Sequence, residues 1–153
     1  MEQEEHTNTN SYGIENFNWL AGYQATMPQG LANGERDNNF LRRLKTTKEW
    51  GDLDILLTVL QELGAQPLIM SRPFNGPIWD AYGISRSARQ VYYDRLNKEV
   101  EKYGFQLIDF QDFDSDRLFA IDRLSHTSRV GWVYVNQALD AFYHDAPIPY
   151  VKK

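Results

Sequence analysis

The chain has 153 residues, enough for one domain with a buried core and too few for two of ordinary size. Sixteen Lys and Arg against 21 Asp and Glu give a formal net charge of -5, so the basic field that non-specific nucleic-acid binding requires is missing. With no cysteine, disulfides, thiolate metal sites and cysteine nucleophiles are excluded.

Residues 1–12 are polar and aperiodic and read as a flexible entry. From 13 to 45 the apolar residues are scattered among Gly13, Gly22, Pro28, Gly30 and Gly34. Phe17–Leu20 and Phe40–Leu44 are each sufficient for a turn or two of helix, and the stretch reads as a segment that wraps around something. Neither a run of 18 apolar residues nor a signal-peptide core is present, so a soluble chain is expected as it stands.

Regular patterning spans 46–145, followed by a tail over 146–153. Thr46 and Glu49 have capping-box spacing, and Trp50, Leu53, Leu56, Leu57, Leu60 and Leu63 predict a helix over 47–63 that stops at Gly64. The uninterrupted run Pro67-Leu68-Ile69-Met70 predicts a buried parallel strand. Pro73, Gly76, Pro77 and Gly83 mark Ser71–Gly83 as loop. Ser85 or Ser87 caps a second helix over 86–103, its inward face carrying Ala88, Tyr92, Leu96, Val100 and Tyr103, closed by Gly104. Residues 105–110 form the second strand candidate, and polar residues 112–117 follow. A third helix over 132–143 is expected to turn Trp132, Val135, Leu139 and Phe142 inward, and Pro147 prevents its extension.

Helices alternating with short apolar strands imply an α/β fold, a three-layer parallel sheet with helices on both faces. Two strands are too few for such a sheet, so the chain reads as the C-terminal half of a larger domain. Apolar surface should then lie exposed, and a homo-oligomer could form through that surface or a free strand edge.

Ligands of parallel sheets meet the loops at the carboxyl ends of the strands. After the first strand, Arg72 could bind an anionic group and the Asn75 amide could donate to a developing oxyanion, although Asn75-Gly76 also reads simply as a turn. After the second strand come Asp112, Asp114, Asp116, Asp122 and His126, with Ser125 beside the histidine. A histidine acting as general base needs a carboxylate to fix its tautomer, and Asp122 lies four residues before it. The same stretch also reads as a solvated acidic loop. It lacks EF-hand spacing, and Ser71, Ser85 and Ser125 lie in no GxSxG nucleophile elbow.

Several pieces in order resemble one family: the helix start Asp52–Leu57, Gln66-Pro67-Leu68-Ile69-Met70 leading into Pro73-Phe74-Asn75-Gly76, Tyr92–Tyr93, Lys102-Tyr103-Gly104-Phe105, and His126 followed by Gly131-Trp132-Val133-Tyr134-Val135. From Trp50 to Tyr143 the chain resembles the C-terminal part of the DltD family, the D-alanyl-lipoteichoic acid biosynthesis proteins of Gram-positive bacteria. The resemblance implies an SGNH-hydrolase-like, flavodoxin-type fold at the extracytoplasmic face of the cell membrane, with a membrane anchor and a nucleophilic serine upstream of these residues. It implies a catalytic His126 with Asn75 in the same site. The partners implied are a D-alanyl donor, lipoteichoic acid and other D-alanylation machinery; no cofactor, metal or nucleic acid is implied.

Two departures stand out. The family's aspartate three residues before the histidine is Arg123 here, leaving Asp122 as the nearest carboxylate candidate, and Ser128 and Arg129 replace a glycine and an aromatic. With no nucleophile strand in view, the chain alone is expected to be inactive. The competing reading is a non-catalytic cell-envelope binding or interaction domain using Arg72, Trp79 and Tyr82.

Overall fold

The computed structural model describes residues 35–116, 118–120 and 126–150. In chain order they form α1 (Glu35–Thr46), α2 (Glu49–Glu62), β1 (Leu68–Met70), α3 (Gly76–Ala81), α4 (Arg86–Glu101), β2 (Gln106–Ile108), a 3-10 turn (Gln111–Phe113) and α5 (Arg129–Tyr143). The strands pair in parallel, Leu68 with Gln106, Ile69 with Leu107 and Met70 with Ile108. The Ser71 N–H continues the ladder by donating to the Ile108 carbonyl at 2.9 Å.

Alternation along the strands gives each face its own packing. Leu107 joins Leu57 of α2 and Leu96 and Val100 of α4, with Ile69 against that cluster. Ile108 joins Phe110, Phe119 and, from α5, Val135 and Ala138, with Leu68 and Met70 alongside. The fold class is therefore α/β, with helices packed on a small two-stranded parallel sheet. The β1 run is half-buried and not fully buried as its apolar sequence suggests.

Several local expectations need correction. Thr46 does not cap α2: it ends α1, and its hydroxyl donates to the Arg42 carbonyl at 3.0 Å. The Phe40–Leu44 cluster belongs to a twelve-residue helix. That helix is fixed to the α3–α4 junction, where the Asp37 carboxylate accepts from the Ser85 N–H at 2.7 Å and the Ser85 hydroxyl at 2.6 Å. Ser85 is the cap of α4, accepting from the Ala88 N–H. Within the expected 71–83 loop lies α3, with Pro77 at its first turn, where a missing N–H does no harm.

The inward face of α5 is also different. Gly131, Val135 and Ala138 are buried, whereas Trp132, Leu139 and Phe142 are exposed. Small residues carry the close contact: a Cβ at Gly131 would lie 2.3 Å from the Phe119 carbonyl oxygen. On α2, Leu57 is buried while Ile55, Leu56 and Val59 are exposed, as is Leu63 just past its end. Among the described residues no helix is long and apolar enough to cross a membrane.

Candidate functional site

The loop after β1 is held residue by residue. The Phe74 N–H donates to the Tyr93 hydroxyl at 2.9 Å. The Asn75 Nδ2 donates to the Ala120 carbonyl at 2.8 Å. The Gly76 N–H donates to the Asp114 carbonyl at 2.7 Å. A Cβ at Gly76 would stand 2.4 Å from that same oxygen, so only glycine permits the approach.

Beneath the loop is a buried ionic centre that the sequence did not reveal. Arg89, 1% exposed, points its Nε and Nη2 at Asp114, with Nη2 to Oδ1 at 2.6 Å. Its Nη1 donates to Asp80 Oδ1 at 2.7 Å and to the Ile84 carbonyl at 2.6 Å. Tyr93 completes the centre by donating to Asp114 Oδ2 at 3.1 Å. Burial opposes the Arg89 charge, but hydrogen bonding and Coulombic attraction from Asp114 and Asp80 outweigh it and lift its pKa above the ordinary value. Burial also pushes the Tyr93 phenol well above its usual range, so it remains a hydrogen-bond donor. The available signal was a charge at a core position of α4, beside Ala88. Nothing in the spacing of Asp112, Asp114 and Asp116 singled out the middle one.

The chain leaving β2 turns at Phe110, whose φ of 49° is left-handed and costs about 1 kcal/mol for a side chain of this kind. Its ring is held against Phe113, Phe119 and Tyr150. Beyond it, an antiparallel bridge between Ala120 and Thr127 closes the stem of the His126 loop, and the Ser128 N–H donates to the Phe119 carbonyl at 2.9 Å. Ser128, one of the departures from the family pattern, caps α5 by accepting from the Gly131 N–H at 3.0 Å.

His126 thus stands exposed at one end of a clamped stem, and Asn75 is buried against the other strand of that stem. Asp122 and Ser125 lie outside the described residues. Asn75 keeps one amide hydrogen beyond the Ala120 bond. Its Oδ1, together with Thr127 Oγ1, is a buried polar atom with no hydrogen-bond partner among the described residues.

Arg72 is exposed and lines a cavity of about 380 Å³ with Met70, Ser71, Phe74 and Tyr92. Trp79 is half-buried, its ring packed edge-on to Phe40 and Phe74 at centroid distances of 5.9 and 5.1 Å. Tyr82 is half-buried too, and its carbonyl accepts from Arg36. A larger cavity of about 550 Å³, bordered by Pro67, Gly104 and Pro147, sits at the entry end of the strands, away from these loops.

Protein DltD of Bacillus subtilis (strain 168) is 36% identical over 102 residues, covering 67% of this chain and 26% of the relative. Protein DltD of Staphylococcus aureus (strain NCTC 8325 / PS 47) is 26% identical over 147 residues, covering 96% of this chain and 35% of the relative. The chain therefore spans between a quarter and about a third of the length of these curated relatives. No solved structure matches it. The family model described as DltD protein matches residues 1–144, nearly the whole chain, and the chain belongs to the DltD family.

Proposed function

We propose that the chain is the C-terminal part of a protein that transfers D-alanyl groups during D-alanylation of lipoteichoic acid, at the extracytoplasmic face of the cell membrane. The fold we infer for the longer protein is a three-layer, SGNH-hydrolase-like sheet whose remaining strands and nucleophilic serine precede these residues. The observation that carries this reading is the Asn75–Ala120 hydrogen bond, which ties the loop after β1 to the stem of the His126 loop. Both loops follow parallel strands at their carboxyl ends, where α/β sites form.

In the proposed reaction the serine oxygen bonds to the carbonyl carbon of the D-alanyl donor while His126 takes the hydroxyl proton. The tetrahedral oxyanion is held by backbone N–H groups and the remaining Asn75 amide hydrogen. Its collapse breaks the bond to the donor's leaving group, which takes the proton from His126. A polymer hydroxyl then attacks the acyl-serine, His126 takes its proton, and the serine leaves reprotonated. Asp122 is assigned to orient His126. A non-catalytic polymer-binding domain would favour open aromatic faces, and the packing of Trp79 between Phe40 and Phe74 does not favour it.

The test is D-alanine ester content of lipoteichoic acid in cells carrying the full-length protein. His126→Ala is expected to abolish incorporation, and Asp122→Asn to reduce it to an intermediate level. Full incorporation with His126→Ala ends the catalytic reading.

A further inference from the structure

The cavity beside Arg72 has features that the acyl-transfer reading leaves unused. Arg72 makes no ion pair or side-chain hydrogen bond among the described residues, although the chain carries a net charge of -5. Two hydroxyls share its cavity, Ser71 Oγ and Tyr92 Oη, 3.1 Å apart. The Ser71 hydroxyl also lies 3.4 Å from the Arg72 carbonyl, which is long for such a bond; when it donates to Tyr92 instead, the Tyr92 hydroxyl hydrogen is available to a ligand. Phe74 closes a wall, its ring edge-on to Tyr92 at 5.2 Å. The cavity is therefore a concavity with hydroxyls in its wall, a guanidinium at its rim and no carboxylate among the described residues that line it.

Donors of this kind select an anion, and their arrangement selects among anions. A carboxylate presents only two oxygens, both in the plane of the guanidinium fork that holds them. A phosphate offers oxygens in three dimensions and can take the fork and a hydroxyl hydrogen together. The volume of about 380 Å³ falls within the range of small-ligand sites. Ser71 and Arg72 also lead straight into Pro73-Phe74-Asn75, the loop whose position is fixed by Tyr93, Ala120 and Asp114. A group bound at Arg72 is consequently held on the same rigid loop as Asn75.

We infer that Arg72, with the Ser71–Tyr92 hydroxyl pair, forms a phosphate-binding subsite that takes a phosphate ester and holds it next to the Asn75 loop. This inference rests on the acyl-transfer reading only for its purpose, which is to position a phosphate-bearing acceptor. Binding itself needs neither serine nor acyl donor.

The experiment is a titration of the isotopically labelled 153-residue chain with glycerol phosphate, followed by NMR at the Ser71 and Arg72 amides and the Arg72 Nε–H. Acetate and glycerol are the control ligands. Saturable shifts with glycerol phosphate are expected, at least about tenfold tighter than with acetate. Arg72→Gln should weaken binding at least about tenfold, the scale of one charge-assisted contact. Tyr92→Phe, which keeps the ring, should weaken it about threefold. Arg86→Gln is the charge control, because Arg86 is exposed and outside the cavity lining. It should leave binding unchanged.

Equal binding by the wild type and Arg72→Gln, equal loss with Arg86→Gln, or no preference over acetate overturns the subsite and leaves the transfer reading standing. If instead binding depends on Arg72 while His126→Ala retains full D-alanine incorporation, the subsite stands and the transfer reading falls.

Discussion

The Asn75 side chain reaches the backbone carbonyl of Ala120, 45 residues further along the chain, over a 2.8 Å hydrogen bond in a fully buried setting. The bond joins the two loops that leave the carboxyl ends of the paired strands. It also fixes which end of the amide faces Ala120, since only Nδ2 can donate to a carbonyl. Asn75→Ala removes the donor and leaves the Ala120 carbonyl buried against a small cavity, so a loss of about 1–3 kcal/mol is expected in urea unfolding. Asn75→Asp tests the same bond differently. An ionised carboxylate cannot donate, whereas a protonated one can. The folded state therefore raises the new group's pKa, and the penalty is expected to be large at neutral pH and to shrink as acid protonates it. An Asp variant equally stable at both pH values would show that the bond contributes nothing.

The buried centre formed by Arg89 and Asp114 should respond asymmetrically to substitution. Their side chains are 1% and 2% exposed, so Asp114→Ala leaves a guanidinium uncompensated in the interior, retaining only the partly exposed Asp80. The expected loss is about 3–5 kcal/mol. Replacing both partners, Arg89→Met with Asp114→Leu, removes the charge together with its counter-charge and should lose less than Asp114→Ala alone. Chemical-denaturation midpoints for Asp114→Ala, for Arg89→Met and Asp114→Leu singly, and for the double variant decide it. A double variant as unstable as the sum of the singles would mean the pair is not coupled.

Much of the scaffold is legible in the sequence because local chemistry decides it. The strand candidates around 68–70 and 106–108 become parallel strands, and of the two possible caps, Ser85 and Ser87, it is Ser85 that caps α4. The missed features are decided by tertiary contact. Thr46 has the spacing of a cap, but α1 already claims its backbone, and the hydroxyl turns back to Arg42. The periodic set Trp132, Val135, Leu139 and Phe142 shares only Val135 with the buried face of α5, because Gly131 and Ala138 are the residues small enough for close packing. Of the candidate site, the rule that loops after parallel strands bind ligands selects the two loops, and the family resemblance selects Asn75 and His126 within them. Asp114 does not, since its importance comes from Arg89, 25 residues earlier in the chain.

The glycines offer a matched comparison. Gly131→Ala places a methyl 2.3 Å from the Phe119 carbonyl oxygen, a backbone atom that cannot swing away. A destabilisation of about 1–3 kcal/mol is expected. Gly51 lies within α2, and no described residue comes within 4 Å of where a Cβ would stand, so Gly51→Ala should stabilise by about 0.5–1 kcal/mol through helix propensity alone. Thermal midpoints should move in opposite directions, and a fall for Gly51→Ala would show that the exposed face of that helix makes a contact the structure lacks.

Tyr93 gives the fold an alkaline limit. Its phenol is buried, and desolvation is the largest cause of a pKa well above the ordinary 10.0, with the Asp114 charge and its hydrogen bond acting in the same direction. The Phe74 N–H and the Arg89 charge act in the opposite direction without cancelling the shift. In the unfolded chain the phenol loses its proton near 10, whereas the folded protein retains it. Below about pH 10 both states hold the proton and the stabilisation from this group is complete. Above that pH only the unfolded state releases it, so stability declines with rising pH until the folded value is reached. Tyr93→Phe should be less stable at neutral pH, because Phe74 loses its acceptor and Asp114 a donor, yet its stability should fall less steeply above pH 10. Urea midpoints measured at pH 8, 10 and 11 for both proteins provide the comparison, and identical slopes above pH 10 would remove Tyr93 as the source of alkaline sensitivity.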